Sequence, residues 1–420
     1  MKLITLDNFP ADFRKEDVEK ILKLAQIGRF CQLICIPGAG KATLLKLLAA
    51  NESLKKAHLG SKLNLTRIIY LDLHELPTFN EADIEKFVLF GIDEKITPEQ
   101  EPVLLAKQLN RAFSSLVEKD INVIFLLDHF DEFQNQLPIS FYRLLDRLRT
   151  LNKYKFATVF GTRRDLRELV DPHLLKDFYD FFVDNSIYLK IYDQKALDVL
   201  FSQIEQAFGK KLTNTQKEAI VKLTGGHGKL AKTISEIWLK QNTKEDQETL
   251  LKEPLINEAL SELWLFLTAQ EQQCLKKITS GQKPDDEEIF QRLIRFDLLS
   301  GKGTFTIPLF EEFVKAQKPD EQKITYKPET KEILKGEKVI SDLLSKQEYR
   351  LLKFLISNEG KVTTRDELIT SVWPDAQQQE GISDEAIDQM IFRLRKKIED
   401  EPNLPKHLTT VKGQGFRFTA

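Results

Sequence analysis

The chain has 420 residues, a formal net charge of −2 and 41% hydrophobic residues, which favours several globular domains with ordinary cores. A net charge so close to zero excludes a basic field over the whole chain, so any contact with nucleic acid must come from a local patch. Three cysteines exclude a disulfide framework, no apolar run reaches the length of a membrane span, and the N-terminus lacks a signal-peptide core. We therefore expect a cytoplasmic protein without a membrane partner.

Strand-like and helical segments alternate over the first half of the chain. Residues 16–30 and 41–50 have helical periodicity, and an apolar strand pattern at 30–36 lies between them. Further runs of branched apolar residues predict four more strands, at 67–73, 121–127, 157–162 and 187–191. Strands that alternate with helices are typical of an α/β layer with a parallel sheet.

The pattern changes in the second half of the chain. From about residue 194 the periodicity is helical only, and from about residue 255 short helices precede a hairpin pattern in LLSGKGTFTIPLF. The run AQKPDEQK at 316–323 has the composition of a linker. We expect a multidomain chain with an α/β domain, a helical region and two winged-helix units of the α+β type. The expected bounds are 1–193, 194–250, 251–317 and 318–420.

Two capped helices suggest that the winged-helix unit occurs twice. LTAQEQQCLKKI resembles LSKQEYRLLKFL, and each begins with a capping box, Thr268 with Glu271 and Ser345 with Glu348. Both are followed by helices and a hairpin pattern, which predicts two winged-helix units in tandem. Two unrelated capped helices stay an alternative, because capping boxes are common.

A glycine-rich loop ends the first predicted strand. It consists of Pro37, Gly38, Ala39, Gly40 and Lys41. Between a strand and a helix, such a loop can cradle phosphates with its backbone N–H groups, while the lysine reaches the terminal phosphates. The loop therefore predicts a site for ATP or ADP.

The loop departs from the P-loop pattern at two positions. Cys35 stands where the pattern begins with glycine, and Ala42 stands where a hydroxyl binds Mg²⁺. Thr43 offers a hydroxyl one residue later, about 100° further round the helix, so it replaces the missing group only if the helix shifts. We therefore expect Thr43 and the loop to retain nucleotide binding, and hydrolysis to be weak.

Acidic residues follow the third predicted strand in INVIFLLDHFDEF. Asp128 stands at the tip of the strand, and Asp131 and Glu132 come directly after it. A carboxylate at a strand tip can hold Mg²⁺, and a second acid can polarise the attacking water. Asp128 is the expected metal ligand, and Asp131 and Glu132 are the expected catalytic acids. A solvated acidic loop is the alternative.

The loop and the acidic residues together resemble the STAND class of P-loop ATPases, within the broader AAA+ group, over about 10–317. The spacing D-x-x-D-E is similar to that of NACHT-type members. GTRRDL resembles their sensor region, which implies that Arg163 or Arg164 contacts the terminal phosphate or a neighbouring subunit; a surface arginine pair is the alternative. LTGGHGKLAKTI resembles the turn of the helical lid, which implies a phosphate contact by His227. This chain has Gly228 where proline is usual, so a turn residue without a ligand stays open for His227.

The basic segment IDQMIFRLRKKI near the C-terminus has helical periodicity. Its apolar residues recur at a spacing that must face the core: Ile387, Ile391, Leu394 and Ile398. The polar and aromatic residues between them can then meet base edges and phosphates of double-stranded DNA. The candidate contacts are Gln389, Phe392, Arg393, Arg395, Lys396 and Lys397. An outward aromatic residue favours an interface over a merely solvated face.

The C-terminal run TTVKGQGFRF predicts a hairpin whose Lys412 and Arg417 can reach a DNA backbone. With the helices before it, this run resembles the OmpR/PhoB-type winged-helix family of response regulators over about 323–420. The resemblance implies DNA contacts by Arg393, Arg395 and Lys412. The resemblance does not imply which DNA sequence is recognised, because the family more often has a basic or polar residue at the position of Glu385.

These motifs together predict a nucleotide-dependent transcription regulator. ATP or ADP, with Mg²⁺, would control conformation or assembly into a homo-oligomer, and the C-terminal winged helix would bind duplex DNA. One rival is a DNA-stimulated STAND or AAA+ ATPase of the initiator or defence type, against which Ala42 argues. Another is a constitutive DNA-binding protein with a degenerate P-loop, against which the retained Lys41 argues.

Overall fold

The computed structural model describes most of the chain. The described residues are 6–152, 154–170, 185–241, 247–317, 323–328, 330–336, 338–373, 383–399, 401–402, 405–411 and 414–419. The chain divides into two compact units, Met1–Lys315 and Ala316–Ala420. This division falls at the start of the predicted linker, and the three expected domains within the first unit stay a prediction. Among the described residues, no helix is both long and apolar enough to cross a bilayer.

A five-stranded parallel sheet forms the centre of the first unit. Its strands are β1 (Cys31–Ile34), β2 (Thr66–Asp72), β3 (Asn122–Asp128), β4 (Phe156–Thr162) and β5 (Ser186–Tyr188). The order across the sheet is β2-β3-β4-β1-β5, and every pairing is parallel, which confirms the predicted α/β class. The register aligns Asp72 with Asp128, so both carboxylates lie at the edge where the strands end.

Helices cover both faces of this sheet, as the apolar character of its strands requires. One face packs against α1 (Lys15–Ala25) and α2 (Lys41–Ala50). The other packs against α4 (Glu81–Ile92), α5 (Pro102–Glu118) and α7 (Ile139–Leu151). Three shorter helices complete the layer: α3 (Glu52–Leu59), α6 (Phe130–Phe133) and α8 (Leu166–Leu169).

The rest of the first unit is helical, as the periodicity predicted. Its helices are α9 (Gln194–Phe208), α10 (Asn214–Thr224), α11 (Gly228–Gln241), α12 (Gln247–Lys252), α13 (Pro254–Phe266), α14 (Ala269–Thr279), α15 (Glu287–Arg295) and α16 (Pro308–Ala316). The capping box of Thr268 and Glu271 starts α14 as predicted. The hairpin expected between α15 and α16 is reduced to one bridge, between Leu299 and Phe305.

The C-terminal unit has the predicted winged-helix layout. Its helices are α17 (Lys346–Ser357), α18 (Arg365–Val372) and α19 (Asp384–Ile398). Its strands are β6 (Ile324–Lys327), β7 (Glu332–Lys335), β8 (Lys338–Val339), β9 (Val362–Thr363), β10 (Leu408–Val411) and β11 (Gly415–Phe418). They form two antiparallel sheets, β6-β7-β8 and β10-β11-β9. The capping box of Ser345 and Glu348 starts α17 as predicted.

Candidate functional site

The loop between β1 and α2 depends on two glycines with left-handed backbone. Gly38 has a φ of +78° and Gly40 a φ of +90°, which residues with a Cβ rarely adopt. A Cβ on Gly38 would also collide with the His227 ring, and one on Gly40 with the Tyr192 hydroxyl. Both the backbone conformation and the available space therefore require glycine at these two positions. The loop ends at Gly40, so Lys41 is the first residue of α2.

The loop lines a cavity of about 520 Å³, a size typical of small-molecule sites. One part of its wall is polar and carries four cations and one acid: Gly38, Gly40, Lys41, Thr43, Arg163, Lys229, Lys232 and Glu262. Another part is apolar: Leu6, Phe9, Phe13, Ala196, Leu200 and Ile204. Such a wall suits a ligand with an anionic end and a flat apolar end, which is the composition of a nucleotide.

The predicted lysine and acids meet at the edge where the strands end. Nζ of Lys41 lies 3.4 Å from Oδ1 of Asp131 and 3.9 Å from Oδ1 of Asp128. The fully buried Asp128 accepts hydrogen bonds from the Tyr70 hydroxyl and from the His129 N–H, each at 2.9 Å. Burial and the neighbouring Asp128 raise the pKa of Tyr70, so its hydroxyl stays a donor. An oriented carboxylate beside a lysine can hold Mg²⁺ next to a phosphate.

Arg163 joins the two expected catalytic acids. Its Nε lies 3.4 Å from Oδ2 of Asp131, and its Nη2 donates to Oε1 of Glu132 at 2.7 Å. Arg163 also lines the cavity, as do Ala42 and Thr43. The structure thus brings the lysine, the three acids and this arginine together, although they come from the ends of β3 and β4 and from the helices α2 and α6.

His227 is placed behind the loop. It is fully buried, its Nε2 lies 2.7 Å from the Pro37 carbonyl oxygen, and its Nδ1 lies 3.3 Å from the Leu230 nitrogen. A neutral ring with its hydrogen on Nε2 satisfies both contacts, because Nε2–H donates to the carbonyl and Nδ1 accepts from the amide. The neighbouring Lys229 N–H donates to Gly38 O at 3.1 Å. This geometry gives His227 a contact with the loop backbone in place of the expected contact with phosphate.

The neutral state of His227 has a consequence for stability. Burial lowers the pKa of His227 from 6.5 to about 4. The unfolded ring therefore takes up a proton at a higher pH than the folded ring, and the folded state loses stability as the pH falls from 6.5 towards 4. We expect roughly 2 kcal/mol of this loss between pH 7 and pH 5. Urea unfolding of wild type and His227→Gln at both pH values measures it, and an equal pH dependence in the two proteins would contradict the assignment.

Arg14 holds the same loop and was missed from the sequence. Its guanidinium donates to the Ala39 carbonyl at 2.9 Å, to Ile191 O at 3.3 Å and to Lys190 O, and it lies 4.9 Å from the ring centre of Tyr192. The side chain is 4% exposed. Its partners lie up to 177 positions away in the chain, so no local pattern could have indicated this role.

Gln203, on α9, is a second residue that the sequence analysis missed. It lines the cavity beside Leu200 and Ile204 and is 7% exposed. Its amide nitrogen has no hydrogen-bond partner within the described part of the chain. A buried donor left without a partner costs about 1–3 kcal/mol, so a native structure that keeps one generally has a ligand or water for it.

Arg164 belongs to the interior of the first unit. Its guanidinium donates to both carboxylate oxygens of Glu271, at 2.7 and 2.6 Å, and to Phe266 O at 2.6 Å. It lies 5.2 Å from the ring centre of Phe296. Burial acts to raise the pKa of Glu271, but the bonds from Arg164 outweigh it and the pKa is lowered. Since Arg163 binds Asp131 and Glu132, two adjacent arginines connect these acids to the start of α14.

In the C-terminal unit, α19 buries the predicted apolar residues and exposes the face between them. Phe392 is 42% exposed. Nζ of Lys396 lies 4.7 Å from the centre of the Phe392 ring, and Nη2 of Arg393 lies 3.4 Å from Oε1 of Gln389. The face therefore combines an aromatic ring with hydrogen-bonding and cationic groups, as a surface that contacts bases and phosphates requires.

Two other basic residues of α19 are bonded within the domain. Nε of Arg395 donates to Leu408 O at 2.8 Å, and its Nη2 donates to the Thr410 hydroxyl at 2.9 Å. Nζ of Lys397 donates to Oε2 of Glu348 at 2.6 Å. These contacts join α19 to β10 and to the start of α17. Arg395 and Lys397 thus stabilise the packing of α19 within the domain. If either residue also contacts a DNA phosphate, its side chain must do so while it keeps these internal hydrogen bonds.

The wing is formed by the antiparallel pair of β10 and β11. Arg417 is exposed on β11, and Lys412 lies outside the described residues. Arg365, which the sequence analysis missed, lies 5.3 Å from the Phe416 ring centre, and its Nη2 lies 2.8 Å from Oδ1 of Asp388 on α19. Arg365 therefore neutralises the charge of Asp388 on α19 and connects this helix to Phe416 of the wing.

The C-terminal unit matches a known family. Residues 342–418 match the family model described as transcriptional regulatory protein, C terminal. The transcriptional regulatory protein KdpE of Mycobacterium tuberculosis is 40% identical over 91 residues, which cover 21% of this chain and 39% of KdpE. PhoP of Escherichia coli is 42% identical over 72 residues, which cover 17% of this chain and 30% of PhoP. The chain therefore spans well under half the length of these relatives.

Solved structures with a similar fold include the Walker-type ATPase paby2304 of Pyrococcus abyssi. It is 15% identical, with a TM-score of 0.45, and the match covers 72% of this chain and 95% of that one. The ORC2 protein of Aeropyrum pernix, in its ADPNP–ADP complexes, is 15% identical with a TM-score of 0.38, over 73% of this chain and 93% of that one. Such likenesses concern the fold, and the site assignments rest on the geometry above.

Proposed function

From a C-terminal domain of the transcriptional-regulator type and a glycine-rich loop that lines a cavity in the first unit, we propose that this chain is a nucleotide-dependent, DNA-binding transcription regulator. The proposal depends on Lys41 and Arg163, which line the cavity, and on Asp128 and Asp131, which lie 3.4–3.9 Å from these two cations just behind the cavity wall. The loop amides and Lys41 would hold the phosphates of ATP or ADP, and Asp128 would hold Mg²⁺. Bound Mg²⁺ would supply charge neutralisation between phosphate oxygens.

The base of the nucleotide would lie in the apolar part of the cavity, against Gln203. Its unpartnered amide nitrogen can donate to a ring nitrogen of the base. We expect Gln203→Leu to weaken ATP binding about tenfold, the effect of one buried hydrogen bond, and to leave tripolyphosphate binding unchanged. Calorimetric titration with both ligands measures this, and Gln194→Leu, an exposed change at the start of the same helix, is the matched control. Equal losses for both ligands would contradict a base contact.

The exposed face of α19 would contact the bases and phosphates of duplex DNA. With a duplex selected from a random-sequence library by the wild-type protein, we expect Phe392→Ala to weaken binding by about tenfold, because a base contact of this kind contributes about 1–3 kcal/mol. We expect Lys396→Ala to lower the slope of log affinity against log salt by about 1, as the loss of one phosphate contact does. Fluorescence anisotropy at several salt concentrations measures both, with the exposed Lys346→Ala as control. Unchanged affinity and slope in both variants would place the interface elsewhere.

Adjacent arginines offer a route from the nucleotide to the helices at the end of the first unit. A γ-phosphate near Lys41 would compete with Asp131 and Glu132 for Arg163, while Arg164 stays bonded to Glu271. A movement of Arg163 at the end of β4 would therefore be passed through Arg164 and Glu271 to α14. We infer that nucleotide state biases assembly of the chain into a homo-oligomer, which would place several DNA-binding units on tandem sites.

A second function, DNA-stimulated ATP hydrolysis, has one favourable observation. Glu132 is oriented by Arg163 and by His74, whose Nε2 lies 3.1 Å from its Oε2. Ala42 argues against it, because the residue that should offer a hydroxyl to Mg²⁺ has none. Phosphate release under multiple turnover, with and without duplex DNA, separates the two functions. Robust turnover that DNA stimulates would favour the ATPase, and negligible turnover with tight binding favours the nucleotide-controlled regulator.

A further inference from the structure

A group of metal-ligating side chains lies at the edge of the sheet beside Asp128. Oδ1 of Asp72 lies 2.8 Å from Nδ1 of His129 and 3.3 Å from Nδ1 of His74. The two imidazole rings are 4.0 Å apart between centres. One ligand atom from each of the three residues falls within 4.8 Å of the others, the single such group found among the described residues. Three donor atoms of this kind can surround one cation.

The contact between His74 and Glu132 indicates which ring nitrogen of His74 is available to a metal ion. Nε2 of His74 lies 3.1 Å from Oε2 of Glu132, and this contact is a hydrogen bond only if Nε2 carries the hydrogen. In the neutral tautomer that carries this hydrogen on Nε2, Nδ1 offers a lone pair on the side of Asp72. Nδ1 of His74 and Oδ1 of Asp72, 3.3 Å apart, can then face the same cation.

A metal-bound histidine commonly donates its other ring N–H to a carboxylate, which fixes the tautomer and the direction of the ring. Glu132 stands in this relation to His74. The site is also accessible, because the side chain of His74 is 46% exposed and that of His129 is 24% exposed. The 3.3 Å between Nδ1 of His74 and Oδ1 of Asp72 is the spacing that a tetrahedral ion with bonds near 2.0–2.1 Å requires, while the 2.8 Å hydrogen bond between His129 and Asp72 would have to open for the ion.

We propose that Asp72, His74 and His129 form a binding site for a divalent transition-metal ion of the zinc class, with Glu132 orienting His74. Two imidazole nitrogens and one carboxylate oxygen are the donor set that zinc accepts with a fourth position open. The site is separate from the expected Mg²⁺ ligand, although the Tyr70 hydroxyl contacts both Asp72 and Asp128, at 3.3 and 2.9 Å. A metal ion bound there would hold Glu132 in place through His74. Because Glu132 also contacts Arg163, metal binding would affect the position of an arginine that lines the proposed nucleotide site.

Titration of the full-length, chelator-treated protein with Zn²⁺ against a chromophoric chelator, without nucleotide, tests the site. Co²⁺ serves as a second probe, because its visible absorption reports tetrahedral nitrogen and oxygen ligands. We expect one ion per chain, a loss of affinity of at least about a hundredfold in His74→Gln and in His129→Gln, and a loss of about ten- to a hundredfold in Glu132→Gln. The matched control is His58→Gln, a histidine elsewhere in the first unit, with unchanged affinity.

Two outcomes would overturn the proposal. The first is the absence of Zn²⁺ binding by the wild-type protein at about 100 µM metal, far weaker than a three-ligand site should be. The second is equal Zn²⁺ affinity in wild type and His74→Gln, which would place the ion elsewhere. Because His74 is half exposed, its substitution should leave the fold intact, and circular dichroism of each variant verifies this. The outcome does not depend on nucleotide binding, so it separates this proposal from the proposed function.

Discussion

Lys41→Ala is expected to weaken ATP and ADP binding by at least about a hundredfold, because one charged phosphate contact of this type contributes roughly 3 kcal/mol. The Nζ of Lys41 lies between Asp131 and Asp128, and no lysine other than Lys229 and Lys232 lines the cavity among the described residues. Its removal also takes the lysine charge away from Asp128 and leaves Asp131 with Arg163 as its cationic partner, which adds repulsion against the phosphates. Calorimetric titration in the presence of Mg²⁺ measures the change.

The matched control for this variant is Lys56→Ala, an exposed lysine on α3 that does not line the cavity. It should bind nucleotide as the wild type does. Retained ATP binding in Lys41→Ala would show that the nucleotide site is not at this loop. Absence of binding in the wild type would leave a constitutive DNA-binding protein whose P-loop is degenerate.

Arg164→Met is expected to lower the free energy of unfolding of the first unit by about 3–5 kcal/mol, because the buried Glu271 carboxylate loses its two bonds from Arg164 and keeps only a longer ion pair with Arg292 at 3.7 Å and the Thr268 N–H. Glu271 is fully buried, and the arginine side chain is 12% exposed. Urea unfolding followed by tryptophan fluorescence measures this effect. A Trp373→Phe background restricts the signal to Trp238 and Trp264 of the first unit.

A second substitution separates the charge from the packing. Arg164→Met with Glu271→Leu should recover much of the lost stability, since it removes both members of a buried ion pair together. The control, Arg167→Ala, removes a guanidinium that is 54% exposed and paired with Asp165, and should cost less than about 1 kcal/mol. If Arg164→Met were as mild as Arg167→Ala, the pair would not hold the sheet to α14.

Local patterns were sufficient to predict the framework of the site. The strands, the glycine loop and the acids after β3 are each encoded within a few adjacent residues, and parallel strands bring their ends to one edge. Lys41, Asp128, Asp131 and Glu132 therefore meet as the sequence indicated. The apolar spacing of α19 likewise fixed which of its faces is exposed, including Phe392.

Partners that lie far apart in the chain could not be predicted from local patterns. Arg395 and Lys397 appear free on a helical projection, but β10 and the start of α17 supply acceptors only once the domain is folded. His227 lies behind the loop because α11 packs there. The resemblance of the segment LTGGHGKLAKTI to a known turn does not reveal this packing. Arg14 and Gln203 carry no motif at all, and only the folded cavity shows that one holds the loop and the other lines it.

Nucleotide control of DNA binding is the central claim, and the affinity for one selected duplex, measured with ATP, with ADP and without nucleotide, tests it most directly. Fluorescence anisotropy together with light scattering gives both affinity and stoichiometry, and Lys41→Ala serves as the uncoupled reference. We expect wild-type affinity and stoichiometry to change with the nucleotide, and the Lys41→Ala protein to behave alike in all three conditions. Equal affinity and stoichiometry of the wild-type protein with and without nucleotide would contradict the account.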